Sequence, residues 1–289
     1  QKPKAKSQKP KAKSQKPKAK LKKMSKFKTT EISDPRFESN NLRHITVKSK
    51  HLKNRGDITV YVPSGNHENL PIVVLMHGVY GSHWIWSQKT GIHLKMQSWI
   101  KNGEIQPMII AMPSDGLWGD GSAYVPHQNS DFEKWIVEDV IDATVELIPQ
   151  ASEHSKLFIA GLSMGGFGAL RIGIKYHEKF SGVSGLSSIT VLDEMKLFVE
   201  EDLSLYKQDD IENNSVLETI KKHKNNLPPF RFDCGSDDLL IEGNRKLHKQ
   251  LVDMGIAHTY KENLGKHEWI YWETHIKETI QFFNKILIS

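Results

Sequence analysis

The sequence predicts an α/β fold whose central sheet is mostly parallel and carries helices on both faces. Short continuous apolar runs at 72–76, 108–112 and 157–160 are typical of strands that are buried on both sides. Helical periodicities lie between these runs, and the segment 161–165 reads as a sharp turn from a strand into a helix. Strands that alternate with helices predict a right-handed, doubly wound sheet.

The individual elements follow from local patterns. Alternating runs at 43–48 and 57–62 predict an antiparallel hairpin at one edge of the sheet. Buried strands are expected at 72–76, 108–112, 157–160, 182–186 and 230–233, with 258–260 as the last strand. Helices are expected at 132–148, 239–254 and 268–288, of which the second ends at Gly255. Residues 189–228 are polar and helix-prone, which predicts a helical insertion over the carboxyl edge of the sheet.

The basic charge of the chain belongs to its amino-terminal end. Residues 1–28 hold thirteen lysines and no acidic residue, whereas 29–289 is mildly acidic. A Gln-Lys-Pro-Lys-Ala-Lys-Ser repeat cannot form an apolar face, so 1–28 is predicted to be a disordered tail ahead of one domain at 29–289. The tail is either an appended sequence, which we favour, or an arm for anionic partners such as nucleic acid.

Cysteine content and hydropathy indicate the cellular compartment of the protein. Cys234 is the single cysteine, so no internal disulfide is expected, and no apolar run reaches 18 residues. A cytoplasmic protein without a membrane span is the simplest prediction, although a mature secreted form would look the same. No metal or cofactor is expected, because neither a His-x-x-x-His pattern nor clustered cysteines occur. A homo-oligomer is compatible with the sequence.

The segment 161–165 has the pattern of a nucleophile elbow. Ser163 lies between Gly161 and Gly165, after an apolar run and before a small-residue helical pattern. Glycine is needed at both flanks because the serine backbone is strained and its neighbours pack closely. A serine hydroxyl also needs a base to take its proton and an acid to orient that base.

The chain order expected for such a site is serine, then acid, then histidine. His248, His258, His267 and His275 follow the acid candidates, and His267 is preferred because it lies in a loop between the last strand and the last helix. The acid is expected after the preceding strand, at Asp237 or Asp238. We favour Asp238 because Asp237 is placed to cap the helix that follows.

An oxyanion hole needs two backbone N–H donors. Met164 follows the nucleophile and is expected to supply one of them, and the glycine-rich turn after 72–76 points to Val79 as the other. His77, at the end of that strand, is expected to have a structural role. Five aromatic residues on loops are candidates for substrate contact, and ordinary packing is the alternative for each: Trp84, Trp86, Trp118, Tyr124 and Trp269.

Four segments together resemble one known family. HGVYGSHWIW, GLSMGGFGALRIG, CGSDDLL and GKHEWIYW, in this order, are similar to the esterase D-like branch of the α/β-hydrolases. That branch includes tributyrin-type, feruloyl and acetyl-xylan esterases, S-formylglutathione hydrolases and antigen-85 mycolyltransferases. The resemblance covers about residues 40–288 and implies an α/β-hydrolase fold. It also implies Asp238 as the acid, as the fourth residue of a G-x-x-D turn, and Val79 and Met164 as the oxyanion donors.

The predicted function is a serine carboxylesterase that acts on short-chain or aryl esters, of the acetyl or feruloyl type. A thioester hydrolase for S-formylglutathione or an acyltransferase on the same residues is the alternative. Formylglutathione hydrolases usually carry histidine where this chain has Leu162. A binding protein without catalysis, whose basic arm contacts nucleic acid, is the alternative of another class. The expected partner is a small-molecule ester.

Overall fold

The computed structural model describes residues 25–289. The predicted tail lies outside this part of the chain, except for residues 25–28. Phe27 is buried in the main core cluster, and the Lys26 ammonium pairs with Asp142 at 2.6 Å. The packed domain therefore begins ahead of the predicted boundary at residue 28, because an aromatic side chain there finds apolar neighbours.

The described residues form eleven strands, nine of which belong to one sheet. The strands are β1 (Thr30–Ile32), β2 (Leu42–Lys48), β3 (Arg55–Tyr61), β4 (Ile72–Met76), β5 (Ile109–Pro113), β6 (Pro126–His127), β7 (Ser130–Asp131), β8 (Leu157–Leu162), β9 (Phe180–Leu186), β10 (Phe230–Gly235) and β11 (Thr259–Asn263). Their order in the large sheet is β1-β2-β3-β5-β4-β8-β9-β10-β11. The six strands from β5 to β11 in this order pair in parallel, and β1 to β3 run antiparallel at the amino-terminal edge.

The predicted hairpin and every predicted buried strand are present, with ends shifted by a few residues. Strand β1 and the small hairpin of β6 and β7 were not predicted. Both are short, and β1 is mostly exposed, so neither carries the apolar pattern on which the prediction depends.

Helices cover both faces of the sheet. They are α1 (Ile85–Thr90), α2 (Ile92–Lys101), α3 (Phe132–Lys134), α4 (Ile141–Leu147), α5 (Met164–Lys175), α6 (Val216–His223), α7 (Ile241–Asp253) and α8 (Trp269–Ile288), and a π-helical stretch, Trp135–Val140, joins α3 to α4. In β4, Val73 and Leu75 face the core beneath α1, α2 and α8, whereas Ile72 and Val74 face the core on the other side. This two-sided burial explains why the central strands are apolar at successive positions.

The predicted insertion consists of three short 3-10 helices, Leu192–Leu197, Leu203–Tyr206 and Ile211–Asn214, followed by α6. It is held to the loop after β5 by polar contacts. The Tyr206 hydroxyl donates to the Gly121 carbonyl at 2.8 Å, and the Gln208 amide donates to the Pro126 carbonyl at 2.8 Å.

A buried ion cluster ties α5 to its neighbouring helix. Arg171 and Glu133 are both almost fully buried, with Nη1 and Oε2 3.3 Å apart. The Lys175 ammonium lies 2.9 Å from Glu133 Oε1, and the Tyr176 hydroxyl donates to the same oxygen at 3.0 Å. Burial alone would raise the pKa of Glu133, but Arg171 and Lys175 outweigh it and lower the pKa. Burial lowers the pKa of Arg171, but its guanidinium stays charged at any ordinary pH, so Glu133 sets the acid sensitivity of the cluster.

Replacing Glu133 with Gln should lower the free energy of unfolding by about 3 kcal/mol, because Arg171 then stays buried without its nearest countercharge and keeps only the more distant Glu212. Urea denaturation at neutral pH measures this change. Asp253→Asn removes an exposed partner of Lys249 and should change stability by less than about 0.5 kcal/mol. Equal losses in the two variants would contradict the assigned role of the buried pair.

The same pair should make stability depend on pH. Because the pKa of Glu133 is lowered on folding, its contribution is complete above the unfolded value of about 4.3 and is lost as pH falls through the lower folded value. The stability difference between wild type and Glu133→Gln should therefore shrink below about pH 5. A difference that stays constant down to about pH 3 would contradict this sign.

Candidate active site

The sharp turn after β8 presents Ser163 at the carboxyl edge of the sheet. Its backbone has φ +53° and ψ −119°, a conformation that serine rarely adopts. Hydrogen bonds on both sides hold it there: the Ser163 N–H donates to the Leu186 carbonyl at 2.9 Å, and its carbonyl accepts from the Phe167 N–H at 3.0 Å. The strain is thus maintained by the strand on one side and by α5 on the other.

Close backbone contacts explain the two glycines of the elbow. A Cβ on Gly161 would lie 2.3 Å from the Gly165 carbonyl oxygen, and a Cβ on Gly165 would lie 2.5 Å from the His77 carbonyl oxygen. Both separations are well inside van der Waals contact. Neither position can therefore carry a side chain unless α5 moves away from β4 and β8.

Three segments that are far apart in the chain meet at Ser163. The Ser163 Oγ lies 2.9 Å from His267 Nε2, and His267 Nδ1 lies 3.0 Å from both carboxylate oxygens of Asp238. The three side chains thus form one continuous line of hydrogen bonds. With Asp238 ionised, Nδ1 carries the proton and Nε2 is the acceptor, so the Ser163 hydroxyl donates to it.

The two adjacent carboxylates after β10 have different surroundings. Asp238 is 2% exposed, and its Oδ1 also accepts from the Leu240 N–H at 2.8 Å. Asp237 is exposed to solvent and does not contact His267. The structure therefore brings Asp238, and not Asp237, to the imidazole.

The loops that carry the acid and the base are joined through their backbones. The Ser236 N–H donates to the Asn263 carbonyl at 2.8 Å, and the Asp237 N–H donates to the Gly265 carbonyl at 3.0 Å. A Cβ on Gly235 would lie 2.4 Å from the Gly265 carbonyl oxygen. This close approach fixes the position of the Asp238 loop relative to the His267 loop.

Two aromatic rings flank the imidazole of His267. The Phe198 ring lies 5.0 Å away at 32°, and the Trp272 ring lies 5.0 Å away at 89°. Neither residue was among the predicted site residues. Phe198 belongs to the insertion, whose sequence predicts its general place but not which of its side chains reaches the imidazole. Trp272 is at the start of α8, one turn after Glu268, and helical spacing alone places it near His267.

The predicted oxyanion donors belong to two backbone segments next to the nucleophile. Among the described residues, the N–H groups of Val79 and Met164 have no hydrogen-bond acceptor in the protein. Met164 is the first residue of α5, where N–H groups are directed toward anions. A Cβ on Gly78 would lie 3.2 Å from the Ser163 Cβ, so the Val79 loop passes close to the nucleophile.

His77 supports this loop from beneath. Its Nε2 accepts from the Asp115 N–H at 3.0 Å, which requires the ring proton to lie on Nδ1. Nδ1 then donates to the Gly78 carbonyl at 2.6 Å, and the Tyr124 hydroxyl donates to the His77 carbonyl at 3.1 Å. His77 is buried, and both its ring nitrogens are used in hydrogen bonds, so the structure agrees with the structural role expected for it.

Two of the five aromatic candidates are core residues. Trp86 is buried, and its indole N–H donates to the Met76 carbonyl at 2.9 Å. Tyr124 is completely buried beneath His77. Packing thus accounts for both rings, and the prediction that they contact substrate is corrected. Trp86 on α1 and Tyr124 on the loop after β5 turn inward because each finds a carbonyl acceptor there.

The other three candidates are partly open to solvent. Trp84 is the most exposed, at 45%. Trp118 packs edge-on against Tyr206 of the insertion at 5.2 Å, and Trp269 packs edge-on against Trp272 at 5.1 Å. Trp84 and Trp269 therefore remain candidates for contact with substrate, whereas Trp118 anchors the insertion.

Residues 25–289 contain neither a candidate membrane span nor a candidate metal site. No helix there is both long and apolar enough to cross a bilayer. No group of three His, Cys, Asp or Glu side chains in that range is arranged to hold a metal ion.

Comparison with known proteins identifies the family. A family model named Esterase, described as "Putative esterase", matches residues 49–283. The chain belongs to this esterase family. It is a carboxylic ester hydrolase with the α/β-hydrolase fold, and the resemblance read from its motifs is confirmed.

Individual relatives of the esterase are moderately similar. An acetyl esterase of Caldicellulosiruptor saccharolyticus is 28% identical over 237 residues, which cover 76% of this chain and 85% of the relative. An endo-1,4-beta-xylanase/feruloyl esterase of Xylanibacter ruminicola is 25% identical over 53% of this chain and 22% of its own length.

Solved structures share the fold of the esterase. A ferulic acid esterase superposes with a TM-score of 0.72 at 22% identity, over 90% of this chain and 99% of that one. An S-formylglutathione hydrolase from Staphylococcus aureus superposes with a TM-score of 0.71 at 18% identity, over 83% of this chain and 97% of that one.

Replacing Gly161 with Ala should destabilise the esterase by roughly 2–4 kcal/mol, because the new methyl group would overlap the Gly165 carbonyl. Thermal or urea unfolding measures the loss. Gly103→Ala is the control: its added Cβ would meet nothing within 4 Å, and only its φ of +71° is unfavourable, which costs about 1 kcal/mol. Equal losses at the two positions would show that the elbow is looser than this packing implies.

Proposed function

We propose that the esterase hydrolyses esters through Ser163, His267 and Asp238. The observation that carries the proposal is the unbroken line of hydrogen bonds from Ser163 Oγ through His267 to Asp238. A serine hydroxyl becomes nucleophilic when a base accepts its proton, and Nε2 lies within hydrogen-bond distance to do so. Asp238 holds the imidazole in the tautomer that leaves Nε2 free and stabilises the imidazolium that forms.

The first half of the reaction forms an acyl-enzyme. Ser163 Oγ attacks the carbonyl carbon of the ester while its proton passes to His267 Nε2. The carbonyl oxygen becomes an oxyanion, which the N–H groups of Val79 and Met164 stabilise. The bond from carbon to the alcohol oxygen then breaks, and Nε2 returns the proton to the departing alcohol.

The second half releases the acid. Water gives a proton to His267 Nε2 and attacks the acyl carbon, and the bond to Ser163 Oγ breaks. Nε2 returns that proton to Ser163, and the carboxylic acid leaves. The side chains end as they began, so no cofactor is consumed.

The substrates we propose are short-chain or aryl esters of the acetyl or feruloyl type. The names of the acetyl esterase and of the xylanase/feruloyl esterase relatives support this class. The Phe198 ring, 5.0 Å from that of His267, offers aromatic surface beside the base. Hydrolysis of S-formylglutathione is the second candidate, because two structural neighbours carry that name. Parallel rates on p-nitrophenyl acetate, methyl ferulate and S-formylglutathione separate the two.

Replacing Ser163 with Ala should reduce turnover of p-nitrophenyl acetate by about 10⁴-fold or more, because no other group can form the acyl-enzyme. A fluorophosphonate probe should label wild type on the peptide that contains Ser163 and should not label the variant. The variant's unfolding curve serves as the folding control. A folded variant that keeps more than a few per cent of wild-type turnover would contradict the mechanism.

The two neighbouring carboxylates provide a matched pair of variants. Asp238→Asn should lower kcat by roughly 10³–10⁴-fold, because an amide N–H would favour the wrong imidazole tautomer. Asp237→Asn makes the same chemical change one residue away, on an exposed side chain, and should stay within about twofold of wild type. The reverse ranking would assign the acid to Asp237.

The cytoplasmic location and a homo-oligomeric state stay predictions from the sequence. Contact of the tail with nucleic acid stays the disfavoured alternative and is untested, since residues 1–24 lie outside the described part of the chain. A DNA mobility shift with and without residues 1–23 tests the last of these.

A further inference from the structure

Tyr80 follows the proposed oxyanion donor Val79 and has an unfavourable backbone conformation. Its φ is +59°, in the left-handed region that a bulky residue seldom adopts. Its side chain is 65% exposed, so packing restrains it little. Hydrogen bonds must therefore account for much of what holds the loop in this conformation.

Tyr80 is attached to the rest of the protein at both its backbone and its side chain. Its N–H donates to the Asp120 carbonyl at 2.8 Å. Its hydroxyl donates to the Phe198 carbonyl. The first bond joins the Val79 loop to the loop after β5, and the second joins it to the insertion.

These partners are themselves connected. The Asp120 N–H donates to Glu201 Oε1 at 2.9 Å, and Asp120 Oδ2 accepts from the Glu200 N–H at 2.8 Å. Phe198, whose carbonyl holds Tyr80, has its ring 5.0 Å from that of His267. The insertion thus contacts the base and, through the Tyr80 hydroxyl, holds the residue next to Val79.

We propose that the Tyr80 hydroxyl is a positioning group for ester hydrolysis, which orients the Val79 N–H toward the oxyanion by fastening Tyr80 to Phe198. This inference rests on the proposed mechanism. Tyr80 does not touch the reacting atoms in this assignment; it acts through the peptide unit beside it. Because Tyr80 is strained and its side chain is exposed, the peptide unit between Val79 and Tyr80 can rotate once the hydrogen bond to Phe198 is lost.

The chemistry of the hydroxyl suits this role. Burial raises the pKa of Tyr80, and the carboxylates of Asp120, Glu200 and Glu201 raise it further. Tyrosine already titrates near pH 10, so with the pKa raised further the hydroxyl keeps its proton, and remains a donor to Phe198, through neutral and mildly alkaline pH.

The effect should be confined to the transition state. The oxyanion exists only after Ser163 has attacked, so a misdirected Val79 N–H weakens the tetrahedral state and leaves ground-state binding unchanged. Loss of the hydroxyl should therefore lower kcat and leave KM nearly constant. It should weaken an inhibitor that forms a tetrahedral adduct with Ser163 by the same factor.

The experiment compares Tyr80→Phe with wild type in the full chain. We expect kcat for p-nitrophenyl acetate to fall by about 3- to 10-fold, with KM within about twofold. The inhibition constant of a trifluoromethyl ketone, whose carbonyl adds Ser163 Oγ reversibly, should rise by the same factor as kcat/KM falls. Tyr260→Phe is the control, since it removes a hydroxyl that donates to Glu262 at 3.1 Å on the edge strand β11; it should leave all three constants unchanged.

The possible results are distinguishable. Unchanged kcat in Tyr80→Phe overturns the inference, as does a rise in KM without a change in the inhibition constant, which would make Tyr80 a substrate contact. An equal loss in Tyr260→Phe overturns it as well, because the effect would then be general. An inactive wild type or an active Ser163→Ala would instead refute the proposed mechanism.

Discussion

The strained turn at Ser163 is the constraint on which the rest of the site depends. A serine at φ +53° is stable only because β9 and α5 both bond its backbone and because Gly161 and Gly165 let β8, β4 and α5 approach closely. The turn points the hydroxyl away from the sheet and places Met164 at a helix amino terminus. One local conformation therefore sets both the nucleophile and one proposed oxyanion donor.

The parallel sheet supplies the remaining groups. Parallel strands end at one edge, so the loops after β4, β8, β10 and β11 all open near Ser163. Direct backbone hydrogen bonds between the loops of Asp238 and His267 make them one unit. The His77 imidazole supports the Val79 loop, because it bonds both the Gly78 carbonyl and the Asp115 N–H. Side chains presented on short, cross-linked loops can hold hydrogen-bond distances that mobile loops could not.

Much of this could be predicted because the signals are local. Runs of apolar residues indicate strands buried on both faces, and they identified the central strands to within a few residues. The elbow, the turn before Asp238 and the loop of His267 each follow a strand, so the order of segments was enough to select them. The short strand β1 and the hairpin of β6 and β7 carry no such pattern and were missed.

Aromatic residues show where local reasoning fails. Trp86 and Tyr124 lie in segments that look like loops at the rim of the site, yet both rings are buried against carbonyl acceptors. Phe198 was not selected, although it lies beside the imidazole. The direction of a large side chain depends on which neighbour has space and an acceptor for it, and a sequence does not show that.

The sequence by itself determined the succession of the central strands and of the helices between and after them at 132–148, 239–254 and 268–288, the serine between two glycines, and the short set of acids and histidines that could serve it. Those features depend on residues close together in the chain. The tertiary structure decided which of two adjacent carboxylates reaches His267, which aromatic rings turn inward, and how the insertion joins the Val79 loop to the base. These depend on distances between segments that are far apart in the chain, which only the packed sheet brings together.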